Sequence, residues 1–183
     1  MASTADVVTV TARGAARLRG GHPWVYAEDV ARHDARGDVV RVVDGRGALL
    51  GTALWAAGAR LPVRLLARDE VTFDAALVEA RVRAADELRR RLLPSADAYR
   101  VVHAEADGLP GLVVDRYGSV LVAQILSAGA ERWREAWGPM IAELTGATAV
   151  YERSDVEVRT LEGLRPRTGP LFGNAPDVVR IVE

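Results

Sequence analysis

Short runs of β-branched and apolar residues, separated by turn residues, dominate the first 70 positions of the chain. Four of these runs have the length and composition of strands: Val7 to Thr11, Val39 to Val43, Ala48 to Leu54 and Leu61 to Ala67. Asp44-Gly45, between the second and third runs, is a strong hairpin signal. Closing short strands into a barrel removes their exposed edges. The pattern therefore predicts a small β-barrel, with a short helical turn over 15–20.

The hydrophobic period changes to that of a helix over residues 74–93. Long or apolar side chains recur there at spacings of three and four, with Val78 and Val82 beside them: Leu77, Arg81, Ala85, Leu88 and Leu92. Asp74 is a typical N-cap residue, and Pro94 stops a helix. The pattern predicts one helix, which we expect to connect two domains.

Strand-like and helix-like segments are mixed from Tyr99 onward. Strands are predicted over 100–105, 112–116, 120–126 and 149–152. A helix is predicted before the last of these, from the face formed by Trp133, Trp137, Ile141 and Leu144. Gly138-Pro139 is expected to kink or split this helix, and Gly146 to end it.

The last seven residues, 177–183, have strand composition up to the final position. An unpaired apolar strand at a chain end favours a domain that is truncated there. Three parts follow from these patterns: a barrel over 1–72, a connector helix over 73–95 and a mixed domain over 96–183. The predicted fold class is α+β.

Composition narrows the range of functions. The 183 residues include no cysteine, which excludes disulfides, thiolate zinc sites and cysteine nucleophiles within this sequence. Neither an apolar run of about 18 residues nor a signal-peptide layout is present. We therefore expect a cytoplasmic protein with no membrane partner.

Charge is distributed unevenly along the chain. All 24 basic residues are arginine, and the formal net charge is −1. Residues 1–69 hold 10 Arg against 7 Asp and Glu, whereas residues 96–183 hold 9 against 13. Arginine forms paired hydrogen bonds with phosphate and stacks on bases. A mildly basic first part fits docking to nucleic acid.

The first candidate site is the turn from Gly20 to Tyr26, together with the arginines before it. Glycine allows a close backbone approach, aromatic side chains stack on bases, and arginines bind phosphates. The candidate RNA-binding residues are Arg13, Arg17, Arg19, Gly20, Gly21, His22, Trp24 and Tyr26. The alternative is structural, with Trp24 and Tyr26 capping the barrel core while His22-Pro23 shapes a turn.

Two further segments carry clustered charge. The run from Glu105 to Gly118 contains Glu105, Asp107, Asp115 and Arg116, and it reads as a structural turn, a binding surface or a general acid–base site. The second segment contains Glu152, Arg153 and Arg159. Its charges suit either an internal ion-pair network or a contact to RNA or to another domain.

Several motifs of catalysis are missing from the sequence. No strand-like run is followed by a G-x-G-x-x-G turn, and there is neither a P-loop nor a serine nucleophile elbow. The three histidines are scattered, which argues against a catalytic metal. We expect this chain to bind no metal and no cofactor by itself.

The order of these motifs resembles the bacterial class I S-adenosylmethionine-dependent 23S rRNA methyltransferases that modify C5 of cytosine. The most similar segments are Gly21 to Tyr26, Gly51, Arg64-Leu65-Leu66, Glu105 to Gly118, Gln124, Glu152 to Ser154 and Glu162 to Leu164. The resemblance implies an N-terminal PUA domain and a middle EEHEE-type α/β domain. It also implies a Rossmann-like catalytic domain that binds S-adenosylmethionine and carries a catalytic cysteine, and this third domain has no counterpart here.

On this resemblance the chain is the RNA-recognition part of such an enzyme, which binds structured rRNA and presents a cytosine without catalysing alone. Its partners would be structured ribosomal RNA and the missing C-terminal methyltransferase domain, and a homodimer stays open. A stand-alone PUA-type RNA-binding or ribosome-assembly module is the first alternative. A small hydrolase that uses Glu105, Asp107 and Asp115 is the second, and it requires those carboxylates to converge in one pocket.

Overall fold

The computed structural model describes residues 6–181, which fall into two compact units that meet in sequence between Phe73 and Asp74. The first unit is a curled half-barrel with one helix. Its elements are β1 (Val7–Val10), α1 (Ala12–Arg19), β2 (Trp24–Val25), β3 (Val30–His33), β4 (Val39–Val43), β5 (Leu49–Trp55) and β6 (Val63–Ala67). The strand order is β2-β6-β5-β4-β1-β3, and β1 and β4 are parallel while the other pairs are antiparallel.

The inner face of this sheet holds the core of the first unit. Val8, Val10, Val40 and Val42 alternate with outward-facing residues along β1 and β4, and Leu18 of α1 packs against them. Burying a side chain of this size stabilises the fold by about 1.5–3 kcal/mol.

The curl of the first sheet depends on a glycine in β5. Gly51 has φ +144°, and a Cβ at this position would lie 2.1 Å from the carbonyl oxygen of Ala67 in β6. The register between β5 and β6 shifts directly after this point. A glycine next to a bulge lets two strands approach closely while the sheet bends.

The second unit is a five-stranded mixed sheet with helices. It contains α2 (Ala75–Leu92), β7 (Ala98–His103), β8 (Leu112–Tyr117), β9 (Val120–Ile125), α3 (Ala128–Glu131), α4 (Arg134–Thr145), β10 (Ala149–Ser154), α5 (Val158–Leu161) and β11 (Arg167–Phe172). The strand order is β11-β10-β9-β8-β7, with β9 and β10 parallel. Helix α4 packs against β10 and β11, while α2 contacts β7 and α4. The predicted α+β class is confirmed.

Apart from the strand predicted over 177–183, the predicted strands are present within a few residues of their expected limits, but three further strands are not predicted. β2 has only two residues, and β3 contains Arg32 and His33 among its four. β11 contains Gly169 and Pro170, which sequence patterns assign to turns. Each lies at an edge of its sheet, where such residues are tolerated.

The helix predicted over 74–93 is confirmed as α2, although its buried face differs from the predicted one. The side chain of Asp74 accepts a hydrogen bond from the N–H of Leu77 at 2.9 Å, as an N-cap should. Val78, Val82 and Ala85 are buried, whereas Leu88 and Leu92 are exposed. The buried stripe continues at Asp86, with Arg89 half-buried, so that Leu88 lies beside the stripe rather than in it.

Of the kink or split predicted at Gly138-Pro139, the split is wrong, since α4 runs from Arg134 to Thr145 with Pro139 inside it. A Cβ at Gly138 would lie 2.5 Å from the carbonyl oxygen of Leu171. Glycine is therefore needed there for the close approach of β11 to α4. The helix ends at Gly146 in the left-handed conformation, as predicted.

The strand predicted over 177–183 is wrong for residues 177–181, which have no strand structure, and residues 182–183 lie outside the described part. The edge beside β10 is occupied by β11. The segment over 175–181 instead borders a cavity of about 420 Å³ together with Tyr117, Tyr151 and Arg153. Within residues 6–181, no helix has the length and apolar character needed to cross a bilayer.

Candidate nucleic-acid interface

Helix α1 and the turn after it position the first candidate site. The side chain of Thr11 caps the helix by accepting a hydrogen bond from the N–H of Gly14 at 3.1 Å. At the other end, the N–H of Gly21 binds the carbonyl of Leu18 at 3.1 Å and the N–H of His22 binds that of Arg17 at 3.0 Å. This pair of bonds is a Schellman motif, and Gly21 has the positive φ (+102°) that it requires. The chain then enters β2 directly.

A buried carboxylate lies beside α1. Asp29 is fully buried, and its two carboxylate oxygens accept hydrogen bonds from the Thr11 hydroxyl at 3.0 Å, Arg13 Nε at 2.6 Å and Arg17 Nη1 at 2.7 Å. Gly14 makes this approach feasible, since a Cβ there would lie 3.1 Å from the Cβ of Asp29. Two of the three predicted phosphate-binding arginines therefore share one carboxylate.

The ionisation of this group is set by two opposing effects. Burial acts to raise the pKa of Asp29, but the hydrogen bonds from Arg13 and Thr11 and the charges of Arg13 and Arg17 outweigh it and hold the pKa below its usual range. The hydrogen bond to Asp29 also raises the pKa of Arg13. Asp29 is therefore ionised near neutral pH, and Arg13 is charged.

The third predicted arginine, Arg19, has a carboxylate partner of its own. Its Nη2 contacts the side chain of Asp44, which also accepts the N–H groups of Arg46 at 2.9 Å and Ala48 at 3.0 Å. The hydrogen bond from Arg19, followed by those two backbone bonds, holds the pKa of Asp44 below its usual range. The side chains of Arg13, Arg17 and Arg19 are still 56, 39 and 56% exposed. All three can reach a ligand at the surface.

Aromatic and guanidinium groups meet directly after α1. The His22 ring stands edge-on to Trp24, with centroids 5.6 Å apart, and is 6.3 Å from the ring of Tyr26. The guanidinium of Arg17 lies over Tyr26 at 5.3 Å, and that of Arg64 over Trp24 at 5.5 Å. These five residues form what we call the arginine–aromatic cluster.

The cluster combines packing with accessibility. Arg64 is buried, while His22, Trp24 and Tyr26 are half-buried and Arg17 is 39% exposed. The aromatic rings therefore contact the unit on one side and solvent on the other. Gly20 and Gly21 are exposed beside them. Such a surface has the chemistry to stack bases and bind phosphates.

Two functional features were missed at the level of sequence. Asp29 follows Glu28 in what reads as an ordinary acidic pair, and nothing in the sequence distinguishes the buried member from the exposed one. Arg64 did carry a signal, because it is a single charge inside the apolar run of β6. A buried charge in a strand needs a specific partner nearby.

Hydrogen bonds join the Glu105–Gly118 run to helix α2. Asp107 binds both terminal nitrogens of Arg89 at 2.7 and 2.8 Å and accepts the N–H of His103 at 2.6 Å. Arg81 donates to the carbonyl of Gly108, which has φ +70°. Glu105 is half-buried in the short 3-10 turn that precedes this glycine.

Two carboxylates of this run pair with different arginines. Asp115 pairs with Arg100 through two bonds of 2.8 and 3.1 Å, whereas Asp107 pairs with Arg89. Across residues 6–181, no group of three or more His, Asp or Glu side chains is arranged to hold a metal ion. The separate arginine partners of Asp107 and Asp115 give the hydrolase hypothesis no support.

The remaining predicted contact residues lie at different depths in the second unit. Arg116 is 9% exposed and donates to the carbonyls of Gly118 at 3.0 Å and Thr145 at 2.8 Å. Arg153 is exposed and pairs with Asp155 at 3.1 Å. Arg153 can therefore reach a partner at the surface, while Arg116 contacts the backbone of its own unit.

Glu152 and Arg159 are both fully buried. Glu152 accepts a hydrogen bond from Arg134 Nε at 2.8 Å. Arg159 donates to Glu131 at 2.8 Å and to the carbonyl of Arg165 at 2.9 Å. Breaking a buried pair by removing one partner costs about 3–5 kcal/mol, so these side chains matter for folding.

Comparisons with known proteins agree with this geometry. Residues 8–68 match the PUA-like domain family. Over 168 residues the chain is 40% identical to ribosomal RNA large subunit methyltransferase I of Shewanella amazonensis. The matched region covers 88% of this chain and 42% of that protein. A protein of the same name from Aeromonas hydrophila is 36% identical over 186 residues, covering 98% of this chain and 47% of its own length. The chain thus spans less than half the length of these curated relatives.

Solved structures show the same fold. A candidate SAM-dependent methyltransferase from Streptococcus mutans superimposes with a TM-score of 0.76 at 18% identity, over 93% of this chain and 44% of that one. A second candidate methyltransferase, complexed with SAH, gives a TM-score of 0.78 at 16% identity, over 93% and 43% of the two chains. The half-barrel and the mixed sheet therefore occur together in longer proteins.

Proposed function

We propose that this chain is the RNA-recognition part of an rRNA methyltransferase and that it binds structured ribosomal RNA through its PUA-like unit. The observation that carries the proposal is the arginine–aromatic cluster beside α1. It brings together three half-buried rings, the partly exposed guanidinium of Arg17 and the buried guanidinium of Arg64 in the unit that matches the PUA-like family. The similarity to rRNA methyltransferases over about nine-tenths of the chain supports the same assignment.

Recognition would combine two kinds of contact. Arg13, Arg17 and Arg19 would bind phosphates, which fix the register of the RNA without reading its sequence. His22 and Tyr26 would stack on unpaired bases of a loop or bulge, the part of structured RNA whose bases are accessible. Trp24 would support the His22 ring from β2, because it contacts His22 edge-on and packs against the guanidinium of Arg64.

The chemistry of methyl transfer would lie outside this chain. We propose C5 of cytosine as the methylated position and S-adenosylmethionine as the methyl donor. The residues that bind this donor and carry out the transfer would belong to the part of the relatives' length that this chain does not match. The residues present do not fit that cofactor, because no strand within residues 6–181 is followed by a G-x-G-x-x-G turn. The sequence also has no cysteine to attack the base. Presenting a cytosine requires extruding it from its stack, which costs a few kcal/mol. Binding of the flanking RNA by this chain would offset part of that cost. We place this binding in the cytoplasm, where ribosomes assemble.

The experiment is a fluorescence-anisotropy titration of the chain with a structured rRNA fragment and with duplex DNA of equal length, at about 50 and 200 mM salt. We expect tighter binding to the RNA, with an affinity that falls as salt increases. Equal affinity for RNA and DNA would show a general polyanion-binding surface instead. No binding to either at low salt would contradict the proposal.

A further inference from the structure

We propose that Asp29 is a positioning residue that holds Arg13 and Arg17 together as a two-arginine clamp for one backbone phosphate of the bound RNA. This inference rests on the proposed RNA-binding function and assigns a role to a residue that does not itself touch RNA. Its carboxylate is fully buried and binds one nitrogen of each guanidinium, at 2.6 and 2.7 Å.

The geometry leaves both guanidinium groups with free donors. A guanidinium has five N–H donors, and each arginine gives one nitrogen to Asp29, through Nε in Arg13 and Nη1 in Arg17. The two arginines are one helical turn apart on α1, so they lie on the same face. Since they bind the two oxygens of a single carboxylate, their outer nitrogens are held side by side.

Each arginine is restrained by a second contact. Arg17 lies over the ring of Tyr26 at 5.3 Å, and Nη2 of Arg13 is 3.7 Å from the carboxylate of Glu28. Asp29 itself is fixed through the Thr11 hydroxyl and through its carbonyl, which accepts the N–H of Thr11 at 2.8 Å. The clamp is therefore ordered before any ligand arrives. A preorganised side chain loses less rotamer entropy when it binds phosphate.

The charge of Asp29 should also weaken RNA binding, which opposes the gain in affinity from positioning the two arginines. Its negative charge cancels one of the two positive charges, which weakens long-range attraction to RNA. Removing that charge without losing position should tighten binding, whereas losing position should weaken it. The direction of the change therefore separates a positioning residue from a mere counter-charge.

The chain provides a matched control for this test. Glu28 is adjacent in sequence, carries the same charge and also faces Arg13, but its side chain is 64% exposed and its ion pair with that arginine is longer, at 3.7 Å. Glu28→Gln and Asp29→Asn each remove one negative charge beside the same helix. They differ in one respect: Asp29→Asn removes the carboxylate that holds Arg13 and Arg17, whereas Glu28→Gln leaves that carboxylate in place.

The experiment compares these two variants of the full chain in anisotropy titrations with the structured rRNA fragment and with duplex DNA. We expect Glu28→Gln to bind RNA about twofold tighter, through the gain in net charge. We expect Asp29→Asn to bind RNA about three- to tenfold more weakly and to lose part of its preference for RNA over DNA. Tighter binding by Asp29→Asn, similar to that of Glu28→Gln, would overturn the inference.

A second variant keeps the test decisive if Asp29→Asn does not fold. Arg17→Lys retains the charge but replaces the planar fork by a compact ammonium, which lacks the separate, fixed donor nitrogens that Arg17 can turn to Asp29 and to a phosphate. We expect its RNA affinity to fall about threefold or more at unchanged net charge. Wild-type affinity in Arg17→Lys would overturn the clamp.

If the unmodified chain binds no RNA, the proposed function fails together with the clamp. If Arg17→Ala weakens binding but Asp29→Asn and Arg17→Lys do not, only the clamp fails.

Discussion

Some arginines of this chain are buried and bind the backbone, whereas others are exposed and can bind a ligand. Arg159 and Arg116 lie in the interior and bind backbone carbonyls, while Arg13, Arg17 and Arg19 remain 39–56% exposed. Their sequence contexts look alike, since each lies within a few residues of an acidic side chain or a turn. An arginine available to RNA is therefore identified by its exposure in the fold and not by local composition.

The first residue-scale prediction concerns Arg17. Arg17→Ala should weaken RNA binding across different sequences and lower the slope of log affinity against log salt by up to about one unit, because one phosphate contact is lost. Anisotropy titrations at several salt concentrations measure both quantities. Arg83→Ala is the control, since Arg83 is an exposed arginine that is paired with Glu79 on a helix of the other unit. An unchanged slope in Arg17→Ala would remove this arginine from the proposed interface.

The second residue-scale prediction concerns acid stability. The native pKa of Asp29 is lowered, so its ion pairs stabilise the fold at a pH above its ordinary unfolded value of about 3.9. That contribution is lost as the pH falls through the lower native pKa. Urea unfolding of wild type from pH 7 to pH 3 should show the decline.

The matching control is Asp29→Asn, which should be less stable than wild type at pH 7 and should lose less stability on acidification. Parallel pH profiles for the two proteins would mean that other carboxylates account for the acid sensitivity.

At the scale of elements, glycines decide where helix and strands come close. Gly138 lets β11 pass over α4, and Gly51 lets β5 meet β6. Neither requirement is visible in a local pattern, because the contacting residue is 33 positions away from Gly138 and 16 from Gly51 in sequence. The sequence suggested a break at Gly138-Pro139, since both residues are poor helix formers.

The element-scale prediction follows from that contact. Gly138→Ala should destabilise the second unit by about 1–3 kcal/mol despite the higher helix propensity of alanine, because the new Cβ meets the Leu171 carbonyl. Gly45→Ala is a suitable control, as a Cβ there meets nothing within 4 Å. Thermal unfolding followed by circular dichroism compares the two. Stabilisation by Gly138→Ala would show that β11 can shift to make room.

Local patterns predicted the strong elements well and the edges poorly. Helix α2 was found through its cap, its period and its terminating proline, all of which are local signals. β2, β3 and β11 were missed because an edge strand need not have an apolar pattern. The candidate site was found through Arg17, His22 and Tyr26, but Asp29 was not, since its burial depends on β1, α1 and the turn before β3 coming together.

At the scale of the whole molecule, the first unit has a core of its own. Twelve buried side chains, from Val8 to Leu65, form one cluster within residues 1–73. The residues proposed to bind RNA are in the same unit. A domain of this size buries about 60% of its unfolded surface, which is enough for marginal independent stability.

The whole-molecule prediction is that a fragment of residues 1–73 folds and retains most of the RNA affinity. We expect its Kd to lie within about fivefold of that of the full chain, with the same salt slope, because the phosphate contacts are unchanged. Circular dichroism verifies folding before the titration. A folded fragment that binds more than tenfold more weakly would place much of the affinity in residues 74–183.

The absence of lysine and the graded exposure of the arginines make this protein well suited to chemical footprinting. Every cationic side chain is a guanidinium, so a dicarbonyl reagent such as phenylglyoxal reports on all of them with one chemistry. Arg159, fully buried, is an internal reference that should stay unmodified while the protein is folded. Arg13 and Arg17 should react in the free chain and become protected when RNA occupies them. Mass spectrometry of the modified peptides would then map the footprint of the RNA without any substitution.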